Sequence, residues 1–164
     1  MNTDQQKSQE FDSDGSYDLL QVVTFNLRDE EYAIEILKVQ EIIRMIPITR
    51  VPNSPEFVNG VINLRGKVIP VMDLGKRIGL PDKAESAESR IIVVEINHTI
   101  IGFIVDRVNI VLRLSKDIIE LTPDLVGNHN KEYIRGIAKM QSNLLILLDL
   151  NKVLQQRELA EVEM

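Results

Sequence analysis

The sequence has no cysteine and no tryptophan, only four phenylalanines and three tyrosines, and just two histidines. Each scarcity removes a class of chemistry. Without cysteine there is no disulfide, no thiolate metal site and no cysteine nucleophile, which suits a reducing compartment. With so few aromatic rings, a base-stacking platform for single strands is a poor fit. Lys and Arg number 19 against 25 Asp and Glu, a formal charge of -6, and no dense basic patch awaits a phosphate backbone. No apolar run approaches the roughly 18–20 residues that cross a bilayer. Residues 1–10 are polar and lack the apolar stretch of a secretory signal. The expectation is a cytoplasmic protein with no nucleic-acid partner and no direct membrane insertion.

The motifs of catalysis are missing too. There is no phosphate-binding loop, dinucleotide fingerprint, nucleophile elbow or paired-histidine zinc motif. His98 falls in a short turn and His129 in a polar loop, neither with neighbours that make a metal site. Glu41, Asp73, Glu95 and Asp106 are carboxylates free to pair in space, as in any acidic protein. Asp73 and Asp149 have a simpler reading as helix N-caps. Asn97-His98-Thr99 spells a glycosylation sequon but reads as a hairpin turn. The expectation is a non-enzyme with no cofactor and no metal.

What the sequence does contain is β structure. Residues 20–27 and 32–36 read as a hairpin across a charged turn at 28–31. Residues 37–46 fit either a helix or a short turn and strand, and their β-branched content favours the strand. Residues 58–64 and 67–72 form a second hairpin, with Gly66 free to take positive φ. A polar loop at 81–89 separates two halves. Strands at 91–96, 100–105, 108–114, 133–140 and 144–148 follow, with a turn at 127–131. Asp149 opens a final helix carrying Leu150, Val153 and Leu154.

The halves resemble each other. Phe57-Val58-Asn59-Gly60-Val61 matches Tyr133-Ile134-Arg135-Gly136-Ile137, and Asp73-Leu74-Gly75-Lys76 matches Asp149-Leu150-Asn151-Lys152, both at a spacing of 76 residues. Residues 38–44 match 107–113 at a spacing of 69. The difference places a longer loop near 120–131 of the second half. About five short strands per half is the size of a small SH3-like barrel, and two packed barrels bury more apolar surface per residue than one. The fold class expected is all-β: two five-stranded SH3-like β-barrels with short helical turns and a short C-terminal helix.

Two stretches carry a family resemblance. One is Glu30-Glu31-Tyr32-Ala33-Ile34-Glu35-Ile36-Leu37-Lys38-Val39-Gln40-Glu41-Ile42. The other runs from Asn53-Ser54-Pro55-Glu56-Phe57 through Asn63-Leu64-Arg65-Gly66 to Val68-Ile69-Pro70-Val71-Met72-Asp73-Leu74. Together they resemble the chemotaxis coupling family, the CheW-like adaptors, across residues 18–154. The resemblance implies a CheW-like domain at 18–156, with barrel subdomains near 18–85 and 86–156 whose interweaving stays open. Residues 1–17 then form a flexible tail and 157–164 a charged one. It implies an adaptor that binds the regulatory domain of the histidine kinase CheA and the cytoplasmic tips of chemoreceptors. The partner-binding residues it implies are Val39, Glu41, Ile42, Gly60, Asn63, Leu64, Arg65, Gly66, Gly102, Val108 and Val111.

The residues support that role physically. Val39, Ile42, Val108 and Val111 sit at or beside equivalent repeat positions and can line surfaces for an apolar helix face, although a valine in a β protein is ordinarily core. Arg65, beside Gly66 in a turn, can present its guanidinium to a carboxylate or a helix carbonyl. Gly60 acts by permitting a backbone conformation. Three rivals stand beside this reading: a scaffold of a non-chemotaxis array, a CheW-like domain of a larger signalling protein, and a small β-barrel enzyme or ligand-binding protein, which needs a polar pocket with shifted titratable groups. The polar start at Met1 and charged end at Met164 favour a short complete chain.

Overall fold

A computed structural model describes residues 19–120 and 131–154. The expected tails, the turn at 127–131 and His129 therefore lie wholly or largely outside the described residues. Among the described residues eleven strands are present: β1 (Leu19–Leu27), β2 (Glu30–Glu35), β3 (Val39–Arg44), β4 (Val58–Leu64), β5 (Lys67–Asp73), β6 (Arg90–Ile96), β7 (Thr99–Val105), β8 (Arg107–Ser115), β9 (Ile119–Glu120), β10 (Ile134–Lys139) and β11 (Leu144–Leu148). Single helical turns occupy Leu74–Arg77 and Leu150–Val153. Residues 36–38 resolve the helix-or-strand question: one 3-10 turn breaks the chain, and the β-branched run after it is strand.

The strands form two sheets. One has the order β8-β1-β2-β11-β10-β9 and the other β3-β6-β7-β5-β4. The first sheet takes the hairpin β1–β2 from the first half of the sequence and its remaining strands from the second, and the other takes the hairpin β6–β7 from the second half and its remaining strands from the first. The exchange occurs at two parallel pairings, β2 with β11 and β5 with β7. Neither ladder closes a full ring. Instead the chain leaving one edge strand reaches the opposite edge: β8 continues into β9 on β10, and β3 continues to Thr49, which bridges to Val61 of β4. The two-residue β9 makes the first sheet six-stranded.

Three apolar clusters result. Val22, Ala33, Leu145 and Leu147 fill the first barrel, and Val71, Ile91, Val93 and Ile104 fill the second. The largest lies between the sheets and draws Phe25, Tyr32 and Leu148 from one, and Met72, Ile92 and Phe103 from the other. A central strand thus buries one face in its own barrel and the other in the shared core. That explains why Ile91-Ile92-Val93-Val94 and Leu145-Ile146-Leu147-Leu148 are continuous apolar runs rather than alternating ones. The two sheets thus share their main core.

The spacing of 76 is a repeat of structure. The amide of Asp73 donates to the carbonyl of Phe57 at 2.9 Å, and that of Asp149 to Tyr133 at 2.8 Å. Both aspartates cap their helical turns, through the amides of Lys76 and Asn151. A bulge falls between Val58 and Gly60 and again between Ile134 and Gly136. The turns that open the two exchanged hairpins also match, with positive φ at Arg28 (60°) and at Asn97 (52°), 69 residues on. The charged turn is shorter than the sequence suggests, because Glu30 and Glu31 already pair within β2.

Candidate partner-binding surfaces

The β4–β5 hairpin carries the densest set of sequence-predicted residues. Arg65 (φ 52°) and Gly66 (φ 88°) occupy its turn, both left-handed as a two-residue hairpin requires. Asn63 holds that turn by accepting the Gly66 amide at 2.9 Å. Leu64 packs inward against the second barrel's core. Arg65 projects from the turn and its guanidinium is paired with Glu41 of β3. The pair spans the seam where the barrel's two edge strands approach each other, and the exposed Ile42 follows Glu41 directly.

Gly60 lies at the same seam from within. A Cβ there would overlap the carbonyl of Thr49, the residue that bridges β4 to the chain leaving β3. Its φ of 146° reinforces the requirement for glycine. Gly102 is buried in β7, where a Cβ would stand 2.8 Å from Ile91 Cγ2. Both glycines thus set strand approach and offer no side chain to a partner.

The remaining valines divide. Val39 and Val108 are half-buried and pack against the shared core. Val111 is 53% exposed on the edge strand β8, beside Ile110 at 55%. Two consecutive exposed apolar residues break strand alternation, and the cause is a bulge. Register shifts between Val23 and Phe25, and the buried Thr24 hydroxyl both donates to the Ile110 carbonyl and accepts its amide, each at 3.1 Å. The bulge turns both side chains outward.

Exposed apolar residues that the sequence reading missed include Val68, Leu144 and Leu37. The repeat held the signal for two of them. Ile42 and Val111 stand 69 residues apart, and Val68 and Leu144 stand 76 apart, so each barrel exposes an apolar pair at the same positions. Of the four carboxylates noted in the sequence, Glu95 accepts from Gln40 at 2.8 Å, while Asp73 and Asp106 both face Arg28. Among the described residues no three His, Asp or Glu side chains gather as a metal site would need, and no helix is long and apolar enough to cross a membrane. Among the described residues, the phenols of Tyr32 and Tyr133 have shifted pKa values. Both phenols are raised, chiefly by burial.

Comparison with known proteins places this arrangement. A family model of the CheW-like domain matches residues 21–158. The chain belongs to the CheW-like family. It is 38% identical over 140 residues to the chemotaxis protein CheW of Helicobacter pylori, covering 85% of this chain and 84% of that protein. It is 37% identical over 135 residues to CheW of Bacillus subtilis, covering 82% and 86%. The crystal structure of the scaffolding protein TtCheW from Thermoanaerobacter tengcongensis superposes with a TM-score of 0.77 at 38% identity, covering 85% of this chain and 94% of that one. The CheW-like chain is an adaptor of chemotaxis signalling and not an enzyme. Its two sheets are the CheW fold.

Proposed function

We propose that this CheW-like adaptor couples chemoreceptors to the histidine kinase CheA in the cytoplasm by binding the kinase's regulatory domain and the receptors' cytoplasmic tips. One observation carries the reading: each barrel presents an exposed apolar pair at repeat-equivalent positions, Ile42 with Val68 and Val111 with Leu144. A coupling protein needs two faces, and a duplicated barrel supplies two without duplicating the gene product. Aliphatic pairs of this kind suit the apolar side of a partner helix or strand. In this reading Val39, Glu41, Ile42, Leu64, Arg65 and Val68 serve one face, and Val108, Ile110, Val111 and Leu144 the other. Asn63, Gly60, Gly66 and Gly102 act by holding the backbone. The unit that does this runs over residues 18–156.

Calorimetric titration with the CheA regulatory domain, and separately with a receptor cytoplasmic hairpin, tests the proposal. Saturable one-to-one binding of both supports it. Failure of the folded protein to bind either one overturns it.

A further inference from the structure

The chain passes from one sheet to the other at two connections, residues 36–38 between β2 and β3 and Asp106 between β7 and β8. These crossings are repeat counterparts, since Leu37 and Asp106 stand 69 residues apart. They are built very differently.

At the second crossing Arg28, on the turn of the β1–β2 hairpin, reaches over to the other barrel. Its amide and its Nη1, the latter at 3.2 Å, both donate to the Asp106 carboxylate. Its Nε donates to the Pro81 carbonyl at 2.6 Å, and its Nη2 lies 3.9 Å from Asp73 Oδ1. The Asp106 amide in turn donates to the Asn26 carbonyl at 3.0 Å. One planar fork thus holds the crossing, the end of β5 and the chain beyond the helical turn Leu74–Arg77. The fork also rests on that turn. A Cβ at Gly75 would stand 2.6 Å from Nη1 and 2.8 Å from Cζ, so the missing side chain makes the room. The Arg28 and Asp106 side chains are only 15% and 14% exposed, where charge-assisted bonds are screened little by solvent.

At the first crossing the same device cannot form. The counterpart of Arg28 is Asn97, that of Asp106 is Leu37, and that of Gly75 is Asn151. The guanidinium, the carboxylate and the space are all replaced, and Leu37 is 92% exposed.

Arg77 supplies another tie between the barrels. Its guanidinium lies 5.0 Å from the ring centroids of Phe57 and Tyr133, which lead into β4 and β10. Equivalent residues that touch one side chain mark the place where the two copies meet, and a tie there is a pivot. The shared core adds attraction without direction. A second directional tie, made through separate residues, is what stops rotation about the pivot, and Arg28 makes one.

We propose that Arg28 is a strut that sets the angle between the two barrels, pinning them at the second crossing and leaving the first unpinned. Each barrel carries one of the two exposed apolar pairs, so this angle is also the angle between those pairs. The strut is a property of the fold and holds whatever binds the two faces.

Because the chain has no cysteine, paired nitroxide labels can be placed at Gln21→Cys on β1 and Val68→Cys on β5, both exposed. Pulsed dipolar spectroscopy on the full-length chain then reads the distance between the barrels, and the parent pair is expected to give one narrow distribution. Arg28→Lys keeps a positive charge beside Asp106 but replaces the fork with a single ammonium. It is expected to widen the distribution by about 2 Å or more, with a melting temperature close to that of the parent. Gly75→Ala displaces the guanidinium while leaving every charge in place, and widens the distribution likewise. Leu37→Ala, at the equivalent crossing, leaves it narrow. An unchanged width in Arg28→Lys or in Gly75→Ala, or an equal widening in Leu37→Ala, overturns the proposal. A lowered melting temperature without widening gives Arg28 a stabilising role alone and overturns it as well.

Discussion

Arg65 and Glu41 face each other across a seam, one from the β4–β5 turn and one from β3, and their side chains pair there. The guanidinium is 69% exposed and the carboxylate 30%, so the pair adds well under about 1 kcal/mol to stability in water. Its value lies in placement. It fixes the hairpin tip against the edge strand that carries Ile42. Arg65→Ala is therefore expected to shift the melting temperature by only about 1–3 °C while weakening the kinase or receptor titration severalfold. The exchange Glu41→Arg/Arg65→Glu is expected to recover much of the lost affinity. Unchanged affinity of Arg65→Ala for both partners removes this residue from the interface.

Gly60 and Gly66 are both glycines at positive φ, yet they answer to different constraints. A Cβ at Gly66 meets nothing within 4 Å, so Gly66→Ala costs only the left-handed backbone, about 1 kcal/mol. A Cβ at Gly60 strikes the Thr49 carbonyl that closes the second barrel. Gly60→Ala is expected to cost about 2–4 kcal/mol, the range of a strained and overpacked backbone site. Urea unfolding of the two variants, compared with the parent chain, measures the difference. Equal losses contradict the assignment of Gly60 to barrel closure.

The sequence makes the strands legible because each is written in β-branched residues and punctuated by turns. The duplication is legible from Gly60 with Gly136 and Asp73 with Asp149. The sharing of strands between sheets is not. A parallel pairing such as β2 with β11 joins residues more than a hundred positions apart and leaves no local mark. The same holds for Ile110, whose outward direction depends on a bulge made by Thr24 of another strand. Charge partners were hidden for a similar reason. Asp73 and Asp106 look like independent carboxylates in sequence, and only the fold brings both to Arg28.

Arg77 illustrates a contact that the repeat creates and no motif announces. Its guanidinium lies 5.0 Å from the ring centroids of both Phe57 and Tyr133, and its Nη1 donates to the Tyr133 hydroxyl at 2.8 Å. Phe57 and Tyr133 are repeat counterparts, so one arginine ties the two halves together at their equivalent point. A desolvated cation between two rings contributes about 2 kcal/mol, and Arg77→Ala also loses packing, for an expected total of about 2–4 kcal/mol. A double-mutant cycle with Tyr133→Phe should show coupling of about 1 kcal/mol from the lost hydrogen bond. Strict additivity of the two substitutions means the hydroxyl contributes nothing to holding the arginine.

Tyr32 sets an alkaline limit on the fold. Its phenol is buried in the shared core and donates to Glu30 Oε1 at 2.8 Å. Burial first, and then the hydrogen bond and charge of Glu30, raise its pKa well above the ordinary value of 10.0. Burial pushes Tyr133 the same way. In the unfolded chain both phenols ionise near 10, whereas in the folded one they resist. The folded state thus binds more protons above that pH, and stability that is fully present below 10 is lost as the pH rises toward the folded-state value. Denaturant midpoints are expected to hold level up to about pH 9.5 and then fall. Tyr32→Phe removes the group that must stay neutral. It should lower stability at pH 7 by about 1 kcal/mol through the lost hydrogen bond, yet flatten the fall above pH 10. A variant whose alkaline slope matches that of the parent chain shows that some other group, and not this phenol, governs the limit.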